Sequence, residues 1–399
     1  MVWVNELKLT SSQQEMLDGN KGKAKRKAME LLVALGKIYG ATEMVAVASV
    51  QVAGVSYKNL GEAGLEFLSE TAVDGKVEVL TTLNPAGIDV ENWEALGYPE
   101  EFAKKQTRVL DAFEKMGIQV SCTCTPYLIG NLPSQGSHVA WSESSAVIFA
   151  NSVLGLKTNR EGGPSALASA LTGFTPNYGL HLDENRQARV KIDLCGLVKS
   201  EADWAVLGKV LGEKIGNKIP YLVNHNSPDR DKLKIFGASI ATYGGTAMFY
   251  ADGITPGKTN IPEETLIINK EELQLGYSDL TDADEVDFIG VGCPHASLEE
   301  LKQVAGFLDG KKVKIPVWIF TARKTKEKAE EAGYAKTILD AGAQIVCDTC
   351  MAVSPLKGRF KCLGTDSAKA CYYGRGTNDF KTKIGTLEQC INAGVTGKW

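Results

Sequence analysis

In EVDFIGVGCPHASLEELKQV (residues 285–304) an apolar run passes through Gly-Val-Gly to Cys293 and a proline, just before a helix capped by Ser297 and Glu300 in a Ser-x-x-Glu box. Open α/β sheets bind ligands beyond the carboxyl ends of their strands, so a thiol at that position is placed for chemistry. The corresponding places in the following units hold Thr321 and Arg323, then Cys347 and Cys350, then Thr365, Ser367 and Lys369. Four successive strand ends thus present thiols, hydroxyls and cations toward one edge, a collocation that core packing does not require. Far upstream, SCTCTPY sets Cys122 and Cys124 at another strand end, where Pro126 prevents simple continuation.

These thiols admit several chemistries. Zinc in a structural site wants four tetrahedral ligands. Three thiolates from separate segments can hold an iron–sulfur cluster while leaving one iron free as a Lewis acid. Cys293 beside His295 could act as a nucleophile, and a free cysteine is often only a small core residue. No compact C-x₂-C-x₂-C run is present, so spacing leaves these alternatives open. An anion site is suggested by TNREGGPSALASALTG (158–173). Arg160 could fork onto a carboxylate or phosphate. Gly162 and Gly163 allow close backbone approach at a helix start, with Pro164 in its first turn. No Lys-Ser/Thr follows the glycines, so this is not a Walker loop. WSESSAV places Ser142, Glu143, Ser144 and Ser145 before a helix, and capping accounts for one or two of them, not all.

The elements that must position these residues read as an α/β chain. From about residue 282, strand, short loop and helix alternate, which implies parallel strands with helical crossovers. We expect an N-terminal α/β region (1–120), a central α/β region with Ser/Gly-rich site loops (121–280), and a C-terminal α/β region with the strand-end cysteines (281–399). The 399 residues are 44% hydrophobic and 23% charged, a globular balance. A net charge of −4 gives no footprint for nucleic acid. No apolar run reaches the roughly 18 residues of a membrane span, and the amino terminus lacks a secretory apolar stretch. The expected setting is the cytoplasm, where nine cysteines, an odd number, do not read as a disulfide framework.

From CTCTPYLIGNLPSQGSHVAWSESSAV through LKTNREGGPSALASALTGF, and again at GCPHASLEEL, CDTCMAVSP and GTDSAKA, the chain resembles the large catalytic subunit of the aconitase X family. The resemblance implies a multi-domain, aconitase-like arrangement of parallel-sheet units around a central cleft, and a hydro-lyase acting on a small anionic hydroxy acid. It implies an iron–sulfur cluster, 4Fe-4S with one open iron, held by Cys124, Cys293 and Cys350, with Cys347 in reserve. Two substrates fall within the family: (R)-5-phosphomevalonate, dehydrated to trans-anhydromevalonate 5-phosphate in isoprenoid synthesis, and cis-3-hydroxy-L-proline. The chain leaves no room for the family's swivel domain, so a separate small subunit supplying the catalytic serine is expected, which favours phosphomevalonate. Catalytic contacts are expected from Arg323, Ser367 and Lys369, and substrate contacts from Thr125, Ser145, Asn159, Arg160, Gly162 and Gly163. Two departures from the family pattern, Tyr250-Ala251-Asp252 and CYYGRG (371–376), are expected near the substrate. The alternative of another class is a zinc-stabilised, non-catalytic binding or scaffold protein.

Overall fold

The computed structural model describes residues 7–399. Its strands fall into three regions. In the first, β1 (Met44–Ala46), β2 (Ser49–Val52), β3 (Leu80–Leu83), β4 (Ala140–Trp141) and β5 (Phe174–Pro176) form a parallel β3-β2-β4 sheet and an antiparallel β1/β5 pair. The Lys23–Tyr39, Tyr57–Thr71, Glu100–Lys115 and Gly163–Thr172 helices contribute to its core, with Leu32, Val50, Leu83, Val109 and Leu171 buried together. The division expected after residue 120 falls inside this region. β2 is buried along its whole length and takes β4 as its second neighbour, because a buried strand must pair on both edges.

The second region holds β6 (Val190–Asp193), β7 (Pro220–Val223), β8 (Tyr250–Ala251) and β9 (Thr265–Ile267) in a parallel sheet of order β8-β7-β6-β9. The Glu201–Ile215 and Arg230–Gly244 helices supply much of its core, with Trp204 edge-on to Phe236.

The third region carries β10 (Phe288–Ala296), β11 (Val317–Thr321), β12 (Gln344–Val346), β13 (Cys362–Thr365) and β14 (Lys381–Ile384), parallel throughout and ordered β12-β11-β10-β13-β14. Both faces are covered, which is why its strands read as unbroken apolar runs rather than alternating ones. Ile289, Val291, Val317 and Ile319 face one core with Leu301, Ile338 and Ile391. Phe288, Trp318 and Phe320 face the other, where Ile88, Leu96 and Tyr98 of the first region cover them. The first and third regions therefore share a core, and the order in which successive strands join the sheet reverses between β10 and β13, with all strands parallel. That reversal is the switch point where a crevice opens beyond the strand ends.

Among the described residues no helix is long and apolar enough to cross a membrane.

Candidate active site at three cysteine loops

The arrangement at Cys293 answers why a thiol stands where the chain must turn. Gly292 has φ +88°, and a Cβ there would lie 2.1 Å from the Phe320 carbonyl oxygen. Only glycine fits so close an approach in that conformation. The ladder to β11 breaks its register between Val291 and Ala296, and Cys293, Pro294 and His295 stand in the break. A bulge of this kind re-aims a side chain that a regular strand would send into the core.

Cys293 lines a cavity of about 320 Å³ together with Cys124 and Cys350. The rest of the wall includes Arg160, Lys369, Glu143, Asn84 and Tyr373. The three thiols come from the loop after β3 and before β4, from the β10 bulge and from the loop after β12, so two regions build the site jointly. All three cysteines are free. Burial pushes each thiol up to about 12, so without a bound electrophile each stays protonated. A backbone N–H already aims at one of the sulfurs: that of His295 donates to Cys124 Sγ at 3.2 Å. Donors aimed at sulfur suit thiolate ligands.

The donor set fits a polynuclear group better than a single ion. Among the described residues no three His, Cys, Asp or Glu side chains converge on one metal position, whereas tetrahedral zinc needs four about a point. In a cluster each cysteine would meet a different iron, so its thiols need not converge on one point. Cys347 is buried in the core with Ile319 and Ile345 and does not line the cavity, and Cys122 packs with Leu83 and Ala140. Of the two cysteines in CDTC, only Cys350 faces the site. The nucleophile alternative loses its base, because both ring nitrogens of His295 are engaged by Thr123 and Thr349 rather than by Cys293.

Opposite charges are fixed in the wall. Lys369 pairs with Glu143, their side chains only 9% and 13% exposed. Burial alone would raise the Glu143 carboxyl, but Lys369, the Ser145 N–H and Asn84 overcome it and hold the group near 2. Asn84 donates to Glu143 Oε2 at 2.8 Å, and the Ser144 and Ser145 hydroxyls both donate to Oε1 at 3.2 Å. The ammonium of Lys369 is raised by Glu143 and, beyond it, by Cys293 and Cys124, against the pull of burial. Arg160 is exposed at the same cavity and makes no ion pair among the described residues.

Several expected contacts are moved behind the wall. Ser145 orients Glu143, as just described. The Thr125 hydroxyl lies 3.1 Å from that of Thr123 and is wholly buried. Asn159 spends its amide on backbone, donating to Tyr178 O and accepting from Leu180 N. Gly162 and Gly163 open the Gly163–Thr172 helix, where a Cβ on Gly163 would lie 2.5 Å from Ala53 O. They let that helix pack against the Ala53–Gly54 wall, while the Glu161 carboxyl beside the helix start accepts from the Ser165 hydroxyl at 2.6 Å. Ser367 caps the Ala368–Asn378 helix, its hydroxyl accepting from the Ala370 N–H at 3.2 Å. Arg323 lies beyond β11, one strand from the switch point, and its guanidinium is taken by Asp89, Glu91 and Asp348. That cluster joins the first region to the third. Arg323→Ala is therefore expected to cost about 1.5–3 kcal/mol of stability, read by denaturant melts, with KM unchanged.

Sequence reasoning passed over Glu143, Asn84 and Tyr373 as site residues. The surplus of polar residues in WSESSAV was the available signal for Glu143 and the CYYGRG departure that for Tyr373; nothing local marks Asn84. The departures divide. Tyr373 lines the cavity, whereas Arg375 pairs with Asp282. Tyr250 lines a separate groove with Tyr221 and Lys258, bonding Arg186 O through its hydroxyl, so the first departure does not touch the cysteine cavity.

Three α/β regions, the first and third of which enclose one thiol-lined cavity, define a dehydratase-type catalytic body of the aconitase kind. Sequence models of the aconitase X first, second and third domains match residues 6–184, 187–283 and 286–396. The chain belongs to the aconitase X family. It is 45% identical to the phosphomevalonate dehydratase large subunit of Methanosarcina mazei, over 98% of each chain. It is 33% identical to the cis-3-hydroxy-L-proline dehydratase of Hypocrea jecorina over 98% of this chain and 69% of that longer protein. The crystal structure of Thermococcus kodakaraensis aconitase X in its holo-form superposes with a TM-score of 0.90 at 44% identity, covering 97% of this chain and all of that one. These relatives are dehydratases, and the chain is an enzyme of that hydro-lyase class.

Proposed function

We propose that this chain is the large subunit of an iron–sulfur hydro-lyase that dehydrates (R)-5-phosphomevalonate to trans-anhydromevalonate 5-phosphate. The observation that carries it is one cavity holding three free thiols together with Arg160, a cation without an ion pair among the described residues. The substrate class follows the relatives that match at 45% identity over nearly full length; those acting on cis-3-hydroxy-L-proline match at 33%. Cys124, Cys293 and Cys350 would hold the cluster, read as 4Fe-4S. A bound cluster with one iron free of protein thiolate supplies a Lewis acid for a carboxylate and a leaving hydroxyl.

The chain's own groups then divide the remaining work. Arg160, free to swing at the cavity mouth, forks onto the phosphate of the substrate. Lys369, held by Glu143 and 5.9 Å from the Tyr373 ring, presents a fixed positive charge beside Cys293. Glu143 stays ionised at neutral pH, so it orients and does not act as a general acid. Among the described residues that line the cavity the one carboxylate, Glu143, is taken by Lys369, Asn84, Ser144 and Ser145 and is not free to abstract a carbon-bound proton. A separate small subunit, read as a swivel domain carrying a serine, supplies that base, and the name "large subunit" among the relatives supports such a partner.

Arg160→Ala is expected to raise KM for phosphomevalonate about 10–100-fold, the worth of one charge-assisted pair, with iron content unchanged. The reading is tested by anaerobic reconstitution with the small subunit and assay of both substrates. Turnover of cis-3-hydroxy-L-proline alone would replace phosphomevalonate as the substrate.

A further inference from the structure

One buried side chain connects all three cysteine loops. His295 is fully buried, two residues beyond Cys293, and does not line the cavity. Its ring nitrogen Nδ1 lies 2.9 Å from the Thr123 hydroxyl, in the residue before Cys124. Its Nε2 lies 2.9 Å from the Thr349 carbonyl oxygen, in the residue before Cys350. Its backbone N–H donates to Cys124 Sγ, and its carbonyl accepts from the Lys234 ammonium at 3.3 Å. Lys234 is itself fixed by Glu300 and by Asp231 at 3.0 Å, which anchors the β10 bulge to the second region.

The partners dictate the tautomer. A carbonyl oxygen can only accept, so Nε2 carries the hydrogen and Nδ1 is the acceptor for the Thr123 hydroxyl. Thr123 Oγ1 accepts in turn from the Thr125 N–H at 3.2 Å. Every polar atom of the imidazole is thereby satisfied, and its ring spans loops that are 172 and 54 residues away in sequence. A group that ties ligand-bearing loops together fixes where their sulfurs stand, as outer-shell partners do in metal sites generally.

We propose that His295 is a positioning residue, bridging Thr123 and Thr349 as the Nε2–H tautomer and so setting the mutual spacing of Cys124, Cys293 and Cys350. The inference rests on the reading of those thiols as cluster ligands, and its test separates the two. The full chain is reconstituted without oxygen, and cluster loss to a chelator is followed by visible absorbance, with iron and sulfide assayed. His295→Ala is expected to lose cluster about 10–100-fold faster than wild type. His295→Gln, which keeps a donor for Thr349, is expected to fall between. Thr123→Val removes one hydroxyl and serves if His295→Ala does not fold; faster loss is expected there too.

In parallel, the metal-free chain is treated with a short bifunctional thiol reagent, and joined cysteines are mapped by mass spectrometry. The products joining Cys124, Cys293 and Cys350 are expected in wild type and lost in His295→Ala and Thr123→Val. Wild-type cross-links and wild-type cluster loss in a folded variant would overturn the positioning role. A wild-type chain that takes up no iron and sulfide would sink the cluster reading alone, while the cross-links would still decide whether His295 spaces the thiols.

Discussion

Cys293→Ser is expected to lower kcat for dehydration by about 10³-fold or more. A Lewis acid at a leaving hydroxyl contributes several kcal/mol of transition-state stabilisation, and about 4 kcal/mol corresponds to that factor. Cys293 stands in the β10 bulge that Gly292 makes possible, so no neighbouring sulfur can replace it without moving the strand. Cys347→Ser is the matched control, since that thiol is buried in the core away from the cavity. It is expected to keep iron, sulfide and turnover at wild-type levels. Iron and acid-labile sulfide analysis with visible and EPR spectra, on chain purified without oxygen, checks both variants. Full iron and turnover in Cys293→Ser would remove it from the ligand set.

Lys369→Met is expected to destabilise the chain by about 3–5 kcal/mol, the cost of leaving a buried partner charge uncompensated. Glu143 would keep Asn84, Ser144 and Ser145 but lose Lys369, the leading influence that offsets its burial. Adding Glu143→Gln to Lys369→Met is expected to recover most of that loss, because the amide needs no counter-charge. Denaturant melts of the single and double variants form the cycle. The same pair predicts a pH dependence. The Glu143 carboxyl is held near 2 against an ordinary 4.5, so the folded chain binds the proton less readily than the unfolded one. Its contribution is therefore complete above pH 4.5 and is lost as pH falls toward 2. Its size is about 3 kcal/mol, since each tenfold difference in proton affinity between the folded and unfolded chain is worth about 1.36 kcal/mol. In Glu143→Gln that part of the acid slope is expected to vanish.

What could be read from residues alone was the local grammar and the edge. The alternation of strand and helix after residue 282 fixed a parallel α/β unit, because a crossover helix forces parallel pairing. The strand-end rule then put Cys293, Cys350 and Lys369 on one side of that unit, and the cavity contains all three. The Ser297/Glu300 capping box was equally local and is present.

Only the tertiary structure decided which strand ends share the crevice. Strand order is set by long-range pairing, so nothing in the sequence around Arg323 shows that β11 lies one place away from the switch point, or that Asp89 and Asp348 would claim its guanidinium. Cys347 and Cys350 differ by one turn of a loop, and the core that buries the former is built from β11 and helices outside that loop. Asn159 and Thr125 stand beside cavity residues in sequence yet spend their polar groups on backbone and on Thr123. Glu143 became a site residue only when Lys369, 226 residues away, reached it. A side chain's type and its neighbours along the chain are local properties, whereas its partner is fixed by packing between regions, and a buried charge takes its role from its partner.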